Sequence, residues 1–358
     1  MMDARPGVYA HTRKGMGMGM GITIRDVAAA AGVSTATVSR ALRGLPNVDH
    51  ATRDRVKEVA AGLDFVISPS ASRLASGRTG SVAVVTPHIA RWFFSEVIAG
   101  AESVMQHADM DLLLMNVGEH QSRVSRIPPT ARIRRRVDGI LIVALPSQDP
   151  DLEPIINLGM PTVMIGGATP GVDCFVIDDV AAARKATGYL VSLGHSRIAL
   201  ISGKSAAARY TAGSQRERGY RSVMAEFSLV EDPMLEVSGH FTIEGGESGM
   251  DTLLNQSNPP TAVFAMSDEM AFGAIRSLRT HGLEPGRDVS IIGIDNHPMS
   301  SYLGLTTIAQ PVADLGKKAG ECLLEQLAGS DSLSGNARVT QLPTELIVRS
   351  STGARGFA

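Results

Sequence analysis

Close to the N-terminus, apolar residues recur every three to four positions, which is the spacing of amphipathic helices. Thr23, with Asp26 three residues later, marks the start of a first helix. Gly32 permits the tight turn that ends it, Ser34 caps a second helix, and Asp49 caps a third. The pattern therefore predicts a three-helix bundle. Its predicted core consists of Val27, Ala28, Ala31, Val33, Val38, Ala41, Leu42, Val56, Val59 and Ala60.

After Gly80 the pattern changes to short continuous apolar runs separated by stretches long enough to form helices. Such runs are typical of parallel strands that helices cover on both faces. The runs of the first series are Ser81–Thr86, Leu112–Val117, Gly139–Ala144 and Thr162–Ile165. Those of the second are Ile198–Ile201, Leu235–Val237, Ala262–Ala265 and Val289–Ile294. We therefore expect an α/β body of two doubly wound lobes, with a ligand cleft at the carboxyl ends of the strands.

The charges of the chain are divided unevenly between its two parts. The whole chain has a net charge of -2, but residues 1–80 carry eleven Lys and Arg against six Asp and Glu, a net +5, which leaves -7 for the rest. A basic head on an acidic body suits binding to phosphate. Cys174 and Cys322 lie outside any ligand-spaced motif, so we expect no structural metal, no cofactor and a reduced, cytoplasmic location.

Residues 1–22 include the low-complexity run GMGMGMG and are expected to be a disordered tail. They lack the apolar core and cleavage site of a secretory signal. No apolar run elsewhere approaches the roughly 20 residues of a membrane helix, so no membrane association is expected.

The outward face of the second predicted helix carries small and polar residues near its start and one arginine a turn later. These residues, Thr35, Ala36, Ser39 and Arg40, would let the helix approach base edges in a DNA groove. An ordinary Ala-rich helix pair with no DNA contact remains the alternative at this point.

A short segment follows the bundle, with Ser68 as a helix cap, Pro69 at the first helical position and Gly77 at the end. A helix this short is unstable alone, which favours folding upon binding. Leu74 would then serve as an apolar wedge in a minor-groove step. An ordinary linker is the alternative.

The runs DVAAAAGVSTATVSRAL and ASRLASGRTGSVAVV resemble the LacI-type family of bacterial transcription regulators, and the resemblance extends from about Thr23 to Arg349. It implies that Thr35 and Ala36 read bases and that Arg40 meets a guanine edge. It also implies phosphate contacts from Ser34, Thr37 and Ser39, and a hinge leucine at Leu74. Ile67-Ser68 departs from the Pro-Asn that commonly opens the family's hinge.

The same resemblance implies a periplasmic-binding-protein-like core whose chain crosses between the lobes three times. It implies a return to the first lobe near Ala313–Leu327 and a last strand around Leu346–Val348. Arg216 occupies the position at which the family usually places an arginine that grips ligand oxygens.

Other candidate pocket residues come from the predicted strand ends. Asp295 ends the run IIGID, and Ser267 and Asp268 follow another strand. The candidate aromatic residues are Trp92, Phe93, Phe94 and Phe241. Carboxylates, an arginine and aromatic planes together suit a sugar or a similar ring. Each aromatic residue has core packing as its alternative, and Arg216 has a solvated helix position.

These features predict five segments: a tail at 1–22, a helix-turn-helix DNA-binding domain at 23–67, a hinge at 68–80, an effector-binding and dimerisation domain at 81–349, and a C-terminal tail at 350–358. The first lobe is expected at about 81–180 plus 312–340, and the second at about 181–308 plus 341–349.

The predicted function is a dimeric repressor of carbohydrate-metabolism genes that binds a near-palindromic operator and is switched by a sugar-like effector. A corepressor-dependent regulator with a nucleobase-like effector, a solute-binding protein and a sugar-modifying enzyme are the alternatives. Gly203-Lys204-Ser205 is not a phosphate-binding loop, because Ile198 stands where that motif needs glycine. No other catalytic motif is found, and we expect no enzyme.

Overall fold

The computed structural model describes residues 22–65, 78–118, 130–146, 152–203, 211–229, 232–329 and 337–355. The chain divides into two compact units, Met1–Arg78 and Thr79–Ala358. The predicted tail up to residue 21 and the predicted hinge helix with Leu74 lie outside the described residues.

The N-terminal unit is a bundle of three helices: α1 (Ile24–Ala31), α2 (Thr35–Leu42) and α3 (His50–Gly62). Gly32 ends α1 with a left-handed backbone at φ +66°, as predicted. The predicted core is confirmed, since seven of its residues are buried and Val33, Leu42 and Val59 pack against them.

The second unit contains two six-stranded sheets with helices on both faces. The elements of the first lobe are β1 (Ser81–Thr86), α4 (Trp92–His107), β2 (Asp111–Asn116), α5 (Thr130–Ile133), β3 (Gly139–Val143), α6 (Leu152–Ile156), β4 (Thr162–Ile165) and β5 (Asp173–Val176). Those of the second are α7 (Asp179–Ser192), β6 (Ile198–Ser202), α8 (Thr211–Glu226), β7 (Glu236–Ser238), α9 (Ile243–Leu254), β8 (Ala262–Ala265), α10 (Asp268–Thr280), β9 (Ser290–Asp295), α11 (Met299–Tyr302) and β10 (Thr306–Ala309). The chain then forms α12 (Val312–Leu327), β11 (Val339–Gln341) and β12 (Glu345–Ile347).

The strand order is β11-β5-β4-β3-β1-β2 in the first sheet and β12-β10-β9-β8-β6-β7 in the second. Every pairing is parallel except that of β10 with β12. The expected doubly wound α/β architecture is therefore confirmed. The chain crosses between the sheets after β5, after β10 and after β11, so neither lobe is continuous in sequence.

Helix α12 returns to the first lobe and packs directly against α4. A Cβ atom added at Gly100 would collide with the carbonyl oxygen of Ala313, and one added at Gly316 would collide with that of Val97. The two helices thus touch backbone to backbone, which only glycine permits at these two positions.

Residues 350–355, the described part of the segment predicted as a C-terminal tail, pack against the second lobe. Ser351 is buried, its hydroxyl donates to the carbonyl oxygen of Ile291 at 2.6 Å, and it accepts from the backbone amide of Thr306 at 2.8 Å. His195 also lies against this segment, with Nε2 3.1 Å from the carbonyl oxygen of Gly353. Among the described residues, none of the helices has the length and apolar character needed to span a bilayer.

Candidate functional site

Helix α2 presents its first turn to solvent. Ser34, its N-cap, accepts a hydrogen bond from the backbone amide of Thr37 at 3.1 Å, and the two hydroxyl oxygens lie 2.9 Å apart. Thr35 and Ala36 are exposed. The positive end of the helix dipole and its unpaired amides make such a helix start a suitable place for phosphate.

Arg40 lies one turn further along α2 on the same face as Ala36, and its side chain is exposed. Its neighbour Arg43 folds back instead, donating from Nη2 to Ser39 Oγ at 2.6 Å and from Nε to the Ser39 carbonyl oxygen at 3.1 Å. Ser39 is therefore half-buried and already hydrogen-bonded. The sequence did not reveal this local contact, which leaves Arg40 as the exposed arginine of the helix.

The start of α1 is fixed by the predicted capping box. The Asp26 carboxylate accepts from the Thr23 backbone amide at 2.8 Å and from its hydroxyl at 2.7 Å. These hydrogen bonds lower the pKa of Asp26 below its usual value.

A cavity open to solvent lies between the two lobes of the second unit. Its walls come mostly from the carboxyl ends of the strands and the residues that follow them, as expected for open α/β sheets. The lining residues are Arg91, Phe93, Phe94, Ala144, Gly166, Ile177, Asp179, Ala212, Arg216, Phe241, Ser267, Glu269, Asp295, Gln310 and Leu315.

Arg216 reaches this cavity from α8 and is only 5% exposed. Its Nε donates to Asp179 Oδ1 at 2.7 Å, and its Nη1 donates to the carbonyl oxygen of Met266. Asp179, at the start of α7, is itself buried. The guanidinium is thus held by a buried ion pair and a backbone acceptor rather than solvated.

Asp295 ends β9 with φ +139°, a backbone conformation that L-residues rarely adopt. Its Oδ1 accepts from Gln310 Nε2 at 2.5 Å. Burial raises the pKa of Asp295 to about 8, an effect that Arg216 opposes and Asp268 reinforces. At neutral pH the side chain is therefore mostly a neutral acid, able to donate as well as accept a hydrogen bond.

Two aromatic side chains and a glycine shape the apolar part of the cavity. Phe93 lies on its wall at the start of α4, with its ring 5.4 Å from that of Phe94. Phe241 lies on the wall from the second lobe and occupies the space beside Gly203 so closely that a Cβ there would overlap the ring. Phe94 is mostly buried, although part of it lines the cavity.

Ser267 and Glu269 bring polar groups to the same cavity from the start of α10. The Ser267 side chain caps this helix by accepting from the Met270 amide at 3.3 Å. Burial raises the pKa of the Glu269 carboxyl, and nearby Arg91 and a backbone hydrogen bond from Trp92 act in the opposite direction.

Two of the predicted pocket residues, Asp268 and Trp92, do not line the cavity. The Asp268 carboxylate accepts from Ser300 Oγ and Thr307 Oγ1, each at 2.6 Å, and from the backbone amide of His297 at 2.9 Å. Asp268 is fully buried, and all three of these hydrogen-bond partners belong to its own lobe. The ring of Trp92 lies against that of His297, with centroids 4.9 Å apart.

Asp179, Glu269, Gln310 and Arg91 line the cavity but were not predicted. Asp179 follows β5 in the run FVIDDV, and this strand was not among the predicted apolar runs. Gln310 follows β10, which was not predicted. Among the described residues, no group of three or more His, Cys, Asp or Glu side chains is placed to hold a metal ion.

Both units of the chain match known protein families. Residues 23–68 match the bacterial regulatory proteins of the lacI family, and residues 187–352 match the periplasmic binding protein-like domain. The HTH-type transcriptional repressor CytR of Escherichia coli (strain K12) is 36% identical over 92% of this chain and 96% of its own length. The ribose operon repressor of Haemophilus influenzae is 31% identical over 92% of this chain and 98% of its own.

Solved structures agree with this similarity. The lac repressor dimer bound to operator and the anti-inducer ONPF has a TM-score of 0.79 and 26% identity, covering 93% of this chain and 99% of that one. The complex of the transcriptional regulator CelR with cellobiose has a TM-score of 0.67 and 29% identity, covering 92% and 99%. From its similarity to such regulators over nearly its whole length, this protein belongs to the LacI family of bacterial regulatory proteins.

Proposed function

We propose that this protein is a sequence-specific transcriptional repressor of carbohydrate-metabolism genes, and that a small sugar-like effector in the cleft switches its binding to operator DNA. The observation that carries the proposal is the pairing, in one chain, of an exposed helix start on a three-helix bundle with a polar-and-aromatic cleft between two lobes. The relatives named as repressors match 92% of this chain, a share large enough to include both parts.

In this proposal α2 enters the major groove. Thr35 and Ala36, which are small and exposed, approach base edges, and Arg40 donates to a guanine. Ser34, Thr37 and Ser39 bind phosphate, and Leu74 acts as the wedge of the hinge. One bundle reads one half-site, so two copies of the chain bind a near-palindrome as a homodimer. The protein acts in the bacterial cytoplasm, on the nucleoid.

The cleft suits a neutral, hydroxyl-bearing ring. Arg216 already has Asp179 as its counter-charge, so a ligand does not need to bring a negative charge to it. The neutral acid at Asp295 and the hydroxyl of Ser267 can exchange hydrogen bonds with sugar hydroxyls, while Phe93 and Phe241 cover ring faces. The cleft binds its ligand without turnover. A nucleobase-like effector is the second candidate, because two phenylalanine rings also suit a flat aromatic ligand.

Fluorescence anisotropy on a labelled fragment of the gene's own promoter tests the proposal, with a random duplex of equal length as control, at moderate ionic strength. The specific fragment should bind at least about 10³-fold more tightly than the random one. Addition of pentoses, disaccharides or nucleosides one at a time should change that affinity about 5- to 150-fold for the true effector. Equal affinity for both duplexes, with and without these compounds, would refute the proposal.

A further inference from the structure

An aromatic contact joins the two lobes at the edge of the cleft. Trp92, the first residue of α4, belongs to the first lobe, and His297, in the loop after β9, belongs to the second. Their ring centroids lie 4.9 Å apart with the planes tilted by 51°. Phe272 of α10 packs edge-on against the same imidazole, with centroids 5.2 Å apart and planes at 82°. The imidazole therefore lies between the Trp92 ring of the first lobe and the Phe272 ring of the second.

A second contact between the lobes involves the same helix start. Arg91, the N-cap residue of α4, supplies no side-chain cap to the helix. The Glu269 carboxylate of the second lobe lines the cleft beside this helix start, and its pKa is lowered by the positive charge of Arg91 and by the Trp92 backbone, against the rise that burial causes. A carboxylate at a helix N-terminus is favourable because it meets the amides and the positive end of the dipole. A carboxylate of one lobe thus faces the first turn of a helix of the other lobe.

The second-lobe side of these contacts is rigidly held. The His297 backbone amide donates to Asp268 Oδ2 at 2.9 Å, and His297 Nδ1 accepts from the Met299 amide at 3.0 Å. Asp268 also holds Ser300 and Thr307, so this loop is anchored to both α11 and β10. The imidazole is consequently placed in a fixed position, and opening of the cleft must separate Trp92 from it.

We propose that Trp92, Glu269, Phe272 and His297 form an interlobe latch that stabilises the arrangement in which the two lobes close over the cleft. The latch rests on the proposed function only in that it regulates access to the proposed effector site. Because apparent affinity depends on the fraction of molecules in the binding-competent state, the latch sets that fraction without contacting the ligand through Trp92 or His297.

Trp92 is the only tryptophan in the chain, so fluorescence excited at the red edge of the tryptophan band, where tyrosine does not absorb, reports on the latch. Acrylamide quenching of the full-length protein, without DNA or effector, should show a Stern–Volmer constant at least twofold larger for His297→Ala than for wild type. His107→Ala is the matched control, because it removes an exposed imidazole at the other end of the same helix. Circular dichroism checks that each variant is folded.

Two further variants separate the ring contact from the contact that Glu269 makes with the start of α4. His297→Phe keeps an aromatic ring and should quench like wild type. Glu269→Ala should increase hydrogen–deuterium exchange of the first turn of α4 at least fivefold, and His107→Ala should not. Wild-type quenching in His297→Ala, equal quenching in His107→Ala and His297→Ala, alanine-like quenching in His297→Phe, or unchanged exchange in Glu269→Ala would each overturn the latch. None of these measurements involves DNA or an effector, so failure of the latch is distinct from failure of the proposed function.

Discussion

Replacement of Arg216 by methionine tests whether the buried ion pair is a main support of the cleft wall. Arg216 and Asp179 join α8 to α7, with the side chains 6% and 10% exposed and Nε 2.7 Å from Oδ1. Methionine has a similar volume without the charge. The substitution therefore leaves the Asp179 carboxylate buried beside an apolar side chain.

The expected loss follows from the charges and their burial. Two unit charges about 4 Å apart attract by about 4 kcal/mol at an effective dielectric constant of 20. Deletion of one partner of a buried pair costs about 3–5 kcal/mol, because the other charge stays desolvated without compensation. We expect Arg216→Met to lower the free energy of unfolding by this amount. The double variant Arg216→Met/Asp179→Asn should recover at least about half of the loss, because no buried charge is then left unpaired.

Urea unfolding of the full chain, followed by circular dichroism, measures these changes. Arg184→Met is the matched control: Arg184 pairs with Glu226 across the same two helices at 2.6 Å, but both side chains are about half exposed. An exposed pair is worth less than about 1 kcal/mol. If Arg216→Met cost no more than Arg184→Met, or if the double variant lost as much as the sum of its single changes, the buried ion pair would not be a main support of the cleft wall.

Three other predictions concern the head, a pH effect and the cavity wall. Arg40→Ala should lower operator affinity by about 1–3 kcal/mol and relax base preference at one position; equal losses on all duplexes would make Arg40 a phosphate contact. Because the pKa of Asp295 is about 8 when folded and near 4 when unfolded, the folded state holds an extra proton between these values. Stability should therefore fall as pH rises from 4 to 8, by up to about 1.4 kcal/mol per pH unit, and Asp295→Asn should flatten that fall in thermal unfolding midpoints. An unchanged slope would contradict the burial of this acid. Gly203→Ala should destabilise by about 1–3 kcal/mol because its methyl group overlaps the Phe241 ring. Gly213→Ala, with ordinary contact at 3.8 Å, should cost nothing in the same unfolding assay, and equal losses would argue against crowding.

The sheets could be predicted where strands are continuously apolar. Ser81–Thr86 and Ala262–Ala265 are confirmed residue by residue, since helices cover both faces and every position favours apolar side chains. β10 was missed because it begins Thr306-Thr307. Both threonines are buried, and their hydroxyls find partners that only the folded chain provides, such as Asp268 for Thr307. A buried, satisfied polar residue has no signature in the sequence.

The cleft residues divide in a similar way. Asp295 was predicted from its place at a strand end, and Arg216 from the family resemblance. Both positions can be recognised from the residues next to them in the sequence. The pairing of Arg216 with Asp179 depends on how α7 packs against α8, which no local pattern encodes. Trp92 was predicted as a cavity aromatic because its side chain suits one, but the structure places its ring against His297. The type of a residue can suggest a site, whereas the direction in which its side chain points depends on how the chain packs.

The return of the chain to the first lobe has a consequence for biosynthesis. Helix α12 covers α4 through the glycine contacts at Gly100 and Gly316, yet it is translated only after nearly all of the second lobe. A ribosome that has just released β5 therefore carries a half-built domain whose apolar helix face has no cover. Folding of the first lobe must therefore wait until α12 has been translated, and a premature stop codon near residue 310 would leave both lobes without their final elements.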